Sequence, residues 1–208
     1  MLGNLVFFLE IIGTVAFAAS GAMIAVNRKM DVFGVAMLGL FTAVGGGVIR
    51  DLLLGNTPPL SFRQPVYALT AIGVSVLMFT RPLRSRYNRH DRVFDAVLLL
   101  MDSVGLGIFS VVGVQVALSG QSNLYTAVFV GLVTGVGGGI MRDMMAGQPP
   151  QVFVKHFYAS ASLIGALLCA LLWPHAGETI AMLAGAVTVI VLRLLAAKYR
   201  WNLPMVRP

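Results

Sequence analysis

Charge sits at matching places inside apolar sequence in this chain. Residues 45–56 read GGGVIRDLLLGN and residues 137–148 read GGGIMRDMMAGQ, at an offset of 92 residues. Arg50-Asp51 therefore follows Gly45, Gly46 and Gly47 by about one helical turn, and Arg142-Asp143 follows Gly137, Gly138 and Gly139 in the same way. The same offset pairs Glu10 with Asp102. Charges at bilayer depth are costly and turn away from lipid. Arg-Asp at such a place can pin helix ends as a structural lock, or close the mouths of a path as a gate. Glu10 and Asp102 can attract cations or partner the arginines. Neighbours at i and i+1 do not face each other on a helix, so the expected partner of Arg50 is Glu10 and that of Arg142 is Asp102. None of this is catalytic chemistry. There is no GxSxG, HExxH or P-loop. His90, His156 and His175 have no metal-ligand spacing. The expectation is a protein that is not an enzyme and has neither cofactor nor structural metal.

The glycines carry a second argument. Each costs about 0.8–1 kcal/mol relative to Ala in a helix interior. A membrane tolerates broken helix only where protein or a water-filled cavity covers it. One reading is a kink at each triplet that turns freed backbone groups toward an internal polar path. The other is close packing, because small residues let neighbouring helices approach. Two boxes, each trailed by Arg-Asp, favour the break, and one face could be packed while the other is wet.

The elements that hold these residues follow from composition. Of 208 residues, 58% are hydrophobic and 11% charged, against about 25% charged in a soluble domain. Mean hydropathy is +0.86. This excludes an ordinary soluble enzyme and a disordered chain. The net charge of +7 lies in loops and ends, which argues for membrane orientation and against nucleic-acid binding. The single cysteine, Cys169, allows no internal disulfide. A span needs about 20 mostly apolar residues, and the runs are 5–26, 31–53, 64–80, 94–118, 123–145, 156–173 and 179–197. The fold class is an all-α membrane protein with seven transmembrane helices. The first run is no signal peptide, since Met1 to Asn4 are uncharged and Glu10 interrupts it.

Alternate loops gather Arg28, Lys29, Arg81, Arg84, Arg86, Arg89, Arg92, Lys155, Lys198, Arg200 and Arg207 on one side and Arg63 on the other. The positive side is cytoplasmic, so the N-terminus is expected outside and the C-terminus inside. Arg193 is expected to snorkel to the cytoplasmic surface, and Asp95 to lie near that surface. Each copy holds three helices, so the second enters from the opposite side: inverted three-helix repeats plus one C-terminal helix. The divisions are 1–91 (first repeat and basic loop), 92–174 (second, inverted repeat) and 175–208 (seventh helix and tail). Gly13/Gly105, Phe17/Phe109, Gly21/Gly113, Gly39/Gly131 and Thr42/Thr134 extend the match, and Tyr67 and Tyr158 align after a one-residue gap.

Two GGGxxRD boxes in a three-plus-three-plus-one chain of this length resemble the prokaryotic trimeric intracellular cation (TRIC) channel family, in its bacterial duplicated-domain inner-membrane group. The resemblance covers about residues 5–197. It implies a homotrimer in the lipid bilayer of the cell inner membrane, with a pore through each subunit. It also implies passage of monovalent cations, K+ and Na+, where kinked helices 2 and 5 meet. The kink residues would be Gly45, Gly46, Gly47, Gly137, Gly138 and Gly139, with Arg50, Asp51, Arg142 and Asp143 completing the two motifs. The phosphoinositide-binding basic residues of the animal relatives have no clear equivalent here. The alternative is a secondary transporter of a small amino acid such as glycine: arginine near a broken helix can hold a carboxylate, and inverted repeats suit alternating access.

Overall fold

A computed structural model describes residues 2–80, 92–154 and 157–201, and every regular element among them is a helix. The order is α1 (Leu2–Asn27), α2 (Val32–Leu53), α3 (Leu60–Arg63), α4 (Val66–Phe79), α5 (Arg92–Ser119), α6 (Leu124–Met145), α7 (Gln151–Val154), α8 (Tyr158–Ala176) and α9 (Glu178–Tyr199). Two long helices, a four-residue helix and a further helix thus occur twice, and α9 follows alone. Arg81, Arg84, Arg86, Arg89, His90, Lys155, His156 and Arg207 lie outside the described residues.

Matching local signals cut the helices at matching places. Lys29 and Gln121 turn the chain in the left-handed region, both at φ 59°. Asp31 then accepts the Gly34 N–H at 2.7 Å and Asn123 accepts the Thr126 N–H at 2.8 Å, capping α2 and α6. Beyond their far ends, Gly55 (φ 73°) and Gly147 (φ 65°) end the helical path.

Among the described residues, six helices are long and apolar enough to cross a membrane. The run expected as the third span is a 14-residue helix, α4, only about 21 Å long at 1.5 Å per residue, against a hydrocarbon core of about 30 Å. The glycine triplets bear on a second expectation. α2 and α6 stay helical through Gly45–Gly47 and Gly137–Gly139 without interruption. Breaking backbone hydrogen bonds in an apolar interior costs more than these helices recover, and they use the missing side chains instead. A Cβ on Gly46 would collide with the Thr134 carbonyl oxygen, and one on Gly138 with that of Thr42. One on Gly137 would lie 3.2 Å from Gly46 Cα. The triplets form the crossing point of α2 and α6.

The two copies run antiparallel. Arg28, just past α1, donates to Gln148, just past α6, at 3.2 Å. A cavity at that end is lined by Asn27, Arg28, Asp95 and Gln148, which brings the end of α1 beside the start of α5. The contacts are reciprocal as well: Phe17 fills the space a Cβ would need on Gly105, and Phe109 lies 3.1 Å from such a Cβ on Gly13. The two rings meet at 5.3 Å between centroids. Shifting each residue by its counterpart exchanges the contacts, as a two-fold relation requires. Helix α9 packs on this core: a Cβ on Gly165 of α8 or Gly185 of α9 would come within 2.8 Å of the other's carbonyl oxygen.

Candidate functional site

Each copy builds one buried charge cluster from three helices. In the first, Arg50 and Asp51 come from the end of α2, Glu10 from α1 and Tyr67 from α4, and all four are buried. Arg50 Nη1 reaches Glu10 Oε1 at 3.4 Å, Arg50 Nε donates to Asp51 Oδ1 at 2.8 Å, and Tyr67 Oη donates to Glu10 Oε2 at 2.5 Å. In the second, Arg142 Nη1 donates to Asp102 Oδ1 at 2.6 Å and Arg142 Nε to Asp143 Oδ1 at 2.9 Å. Tyr158 Oη donates to Asp102 Oδ1 at 3.3 Å. Arg142 Nη1 also donates to Ser20 Oγ of α1 at 2.5 Å, which ties the second cluster to the first copy.

Glu10 and Asp102 thus lie against the arginines of their own copies. The exclusion of sequence neighbours fails, however: both arginines also bond the aspartate that follows them. Each pair sits in the last turn of its helix, where the long guanidinium stem folds back to the next side chain. The aspartates have a second task the sequence reading missed. Asp51 Oδ2 accepts the Leu60 N–H at 2.8 Å, and Asp143 Oδ2 accepts the Gln151 N–H at 2.8 Å. Each carboxylate therefore clamps the loop between its long helix and the short one that follows. Tyr67 and Tyr158 were legible as an aligned pair but not as members of the clusters.

Arg193 corrects the snorkelling expectation. It is 4% exposed and points inward, with Nη2 3.1 Å from Asp102 Oδ2 and its guanidinium 4.5 Å from the centroid of the Tyr158 ring. A carboxylate and an aromatic face together outcompete the distant surface. Asp95 is exposed.

Cavities lead to the clusters from opposite ends. One of about 160 Å³ is lined by Asn56, Pro58, Arg63 and Val116 and ends on Arg50 and Asp51. Behind it, a small cavity of about 30 Å³ is bounded by Glu10, Thr14, Arg50, Ser61, Tyr67 and Phe109. From the other end, a cavity of about 350 Å³ passes Asp95 and Gln151 to Asp102 and Arg193. Between the two sets lie Phe17, Phe109 and the glycine crossing. Thr42 and Thr134 turn their hydroxyls back to the carbonyls of Leu38 at 2.5 Å and Val130 at 2.6 Å. Among the described residues, no group of three His, Cys, Asp or Glu is placed to hold a metal.

A sequence model of the family described as "Glycine transporter" matches this chain twice, over residues 7–82 and 99–174. The chain belongs to that family. The two matches are displaced by the offset that relates the charge clusters. Curated relatives in the family's range include a UPF0126 membrane protein of Deinococcus radiodurans, 39% identical over 96% of this chain and 91% of that protein. The UPF0126 inner membrane protein YadS of Escherichia coli K12 is 36% identical over 96% of this chain and 95% of its own. The fold is that of the TRIC channels. A solved TRIC cation channel described for its conductance is 36% identical, with a TM-score of 0.83 and 97% of each chain covered. The TRIC orthologue from Rhodobacter sphaeroides is 32% identical, with a TM-score of 0.87, covering 95% of this chain and 99% of that one. This glycine-transporter family member is therefore a membrane protein of TRIC architecture.

Proposed function

We propose that the protein conducts monovalent cations, K+ and Na+, across the bacterial inner membrane through a path inside each subunit of a homotrimer. The observation that carries this reading is the arrangement of the cavities. They enter from opposite ends and stop on two buried Arg–carboxylate clusters, on either side of one packed crossing of α2 and α6. The fold shared with TRIC cation channels supports it. On this reading the path is closed where the Phe17 and Phe109 rings meet, and conduction requires these rings and the glycine crossing to separate. Arg50, Asp51, Arg142 and Asp143 then serve as the two gates, and Glu10 and Asp102 as the carboxylates that hold them shut.

The same reading takes the chain as inverted repeats, 1–91 and 92–174, followed by a seventh helix and tail, 175–208. α3 and α4 together make the third crossing, which gives seven. Arg28, Lys29, Arg92, Lys198 and Arg200 mark the cytoplasmic end, with the N-terminus outside.

A second reading, carriage of a small zwitterion such as glycine, is favoured by one feature: Arg50 and Glu10 face the same cavity, and together they complement a carboxylate and an ammonium. Purified protein in liposomes separates the two. A channel gives unitary K+ currents that change when Asp51 or Asp143 is neutralised. A carrier gives saturable glycine counterflow without unitary currents, and that result would overturn the channel reading.

A further inference from the structure

The two clusters differ in formal charge. Asp102 and Asp143 face Arg142 and Arg193, so the second cluster balances. Among the described residues, Glu10 and Asp51 face Arg50 alone, which leaves one negative charge enclosed. Arg193 has no counterpart in the first copy, because α9 follows the second copy alone. Arg63 is the next cation near the first cluster, but it is exposed and donates to the Thr57 carbonyl at 2.8 Å.

Where the second copy has an arginine, the first has unused oxygens. Thr14 lies one turn after Glu10, is 2% exposed and lines the 30 Å³ cavity. Unlike Thr42 and Thr134, it does not return its hydroxyl to the backbone, and it makes no side-chain hydrogen bond to any described residue. Ser61 Oγ, on the wall of the same cavity, is enclosed without a partner among the described residues. The equivalent positions in the second copy are Leu106 and Val152, which carry no oxygen. Buried hydroxyls are ordinarily paired, and an enclosed charge is ordinarily neutralised. One ligand satisfies both demands: a small cation bound by oxygen atoms.

We infer that the cavity bounded by Glu10, Thr14 and Ser61 binds one dehydrated alkali cation per subunit, which does in the first copy what the Arg193 guanidinium does in the second. The cavity has room for about one water-sized body. Glu10 supplies the charge, with Oε1 held only by the long contact to Arg50, and Thr14 and Ser61 supply neutral oxygens of the kind hard cations take. The inference deepens the proposed conduction, because it rests on this cluster lining the path and makes it a resting place for the ion.

The test is equilibrium binding, which needs no transport. Full-length protein in detergent is titrated with radioactive Tl+, and K+, Na+ and choline are offered separately as competitors. The expected result is one saturable site per subunit, displaced by K+ or Na+ and not by choline, with the more effective competitor identifying the ion. Glu10→Gln should abolish it. Thr14→Val keeps the shape and removes one ligand oxygen, and it should weaken binding about tenfold while leaving the ion-free melting temperature unchanged. Absence of saturable binding between pH 6 and 8 would overturn the inference and point to a proton as the neutralising species. Wild-type affinity in Thr14→Val would overturn it too. Unitary K+ currents without Tl+ binding sink this site and leave conduction standing, whereas binding without currents does the reverse.

Discussion

At the scale of single residues, the two clusters are related in plan and unequal in strength. Asp102 accepts from two arginines and a tyrosine in full burial, whereas Glu10 has one tyrosine and a long contact to one arginine. Removing one partner of a buried ion pair costs about 3–5 kcal/mol, because the other charge is stranded. Asp102→Asn removes the carboxylate that Arg142 and Arg193 share. Its unfolding free energy in detergent, measured by denaturant titration, should therefore fall by at least the lower end of that range. Adding Arg193→Gln should return part of the loss, a coupling of about 1 kcal/mol or more in a double-mutant cycle. If the two losses simply add, Arg193 is not part of the cluster. The motif residues and their carboxylate partners were readable because charged letters are conspicuous in apolar sequence and recur at one offset. The inward turn of Arg193 was not readable: a lone arginine near a helix end looks the same whether it faces water or an aspartate brought in from 91 residues away.

At the scale of elements, the glycine triplets show where sequence reading stops. Their cost to helix propensity was visible, but a kinked helix and a closely packed one share that signature, and only the neighbour across the crossing decides. That neighbour is the partner triplet. The three glycines of a box then become inequivalent. A Cβ on Gly46 or Gly138 meets a backbone carbonyl that cannot move aside, whereas one on Gly47 meets only the Arg50 Nη2 at 3.9 Å. Gly46→Ala and Gly138→Ala should each destabilise the protein by about 1–3 kcal/mol through overpacking. Gly47→Ala should be neutral or stabilise by up to about 1 kcal/mol, the ordinary gain of Ala over Gly in a helix. Thermal unfolding of the three variants side by side checks this. Equal damage at Gly47 would show that backbone freedom, not the crossing, is what the triplet supplies. That α4 is short for a span was not readable for a related reason. Hydropathy over 64–80 does not report that Pro65 starts a new helix after the separate turn of α3.

At the scale of the whole molecule, antiparallel copies and an odd helix constrain how the chain lies in the bilayer. The turns around Lys29 and Gln121 are equivalent positions, both exposed and both left-handed, yet the antiparallel packing puts them at opposite ends. The Lys29 end also holds the start of α5 and the end of α9, and with them Arg28, Arg92, Lys198 and Arg200. The Gln121 end has Arg63 as its nearest basic side chain among the described residues. The bias in Lys and Arg near span ends sets orientation, so the Lys29 turn should face the cytoplasm and the Gln121 turn the outside. Cysteine scanning tests this directly, because the native Cys169 is buried and can be replaced by alanine with little exposure of new surface. In intact cells, a membrane-impermeant maleimide should label Gln121→Cys and spare Lys29→Cys, and permeabilised cells should label both. Labelling on the opposite pattern would invert the orientation, and labelling of both in intact cells would mean that the copies are not inverted across the bilayer. The second outcome would remove the physical basis for a single path with a gate at each end, since two clusters on one side of the membrane cannot alternate.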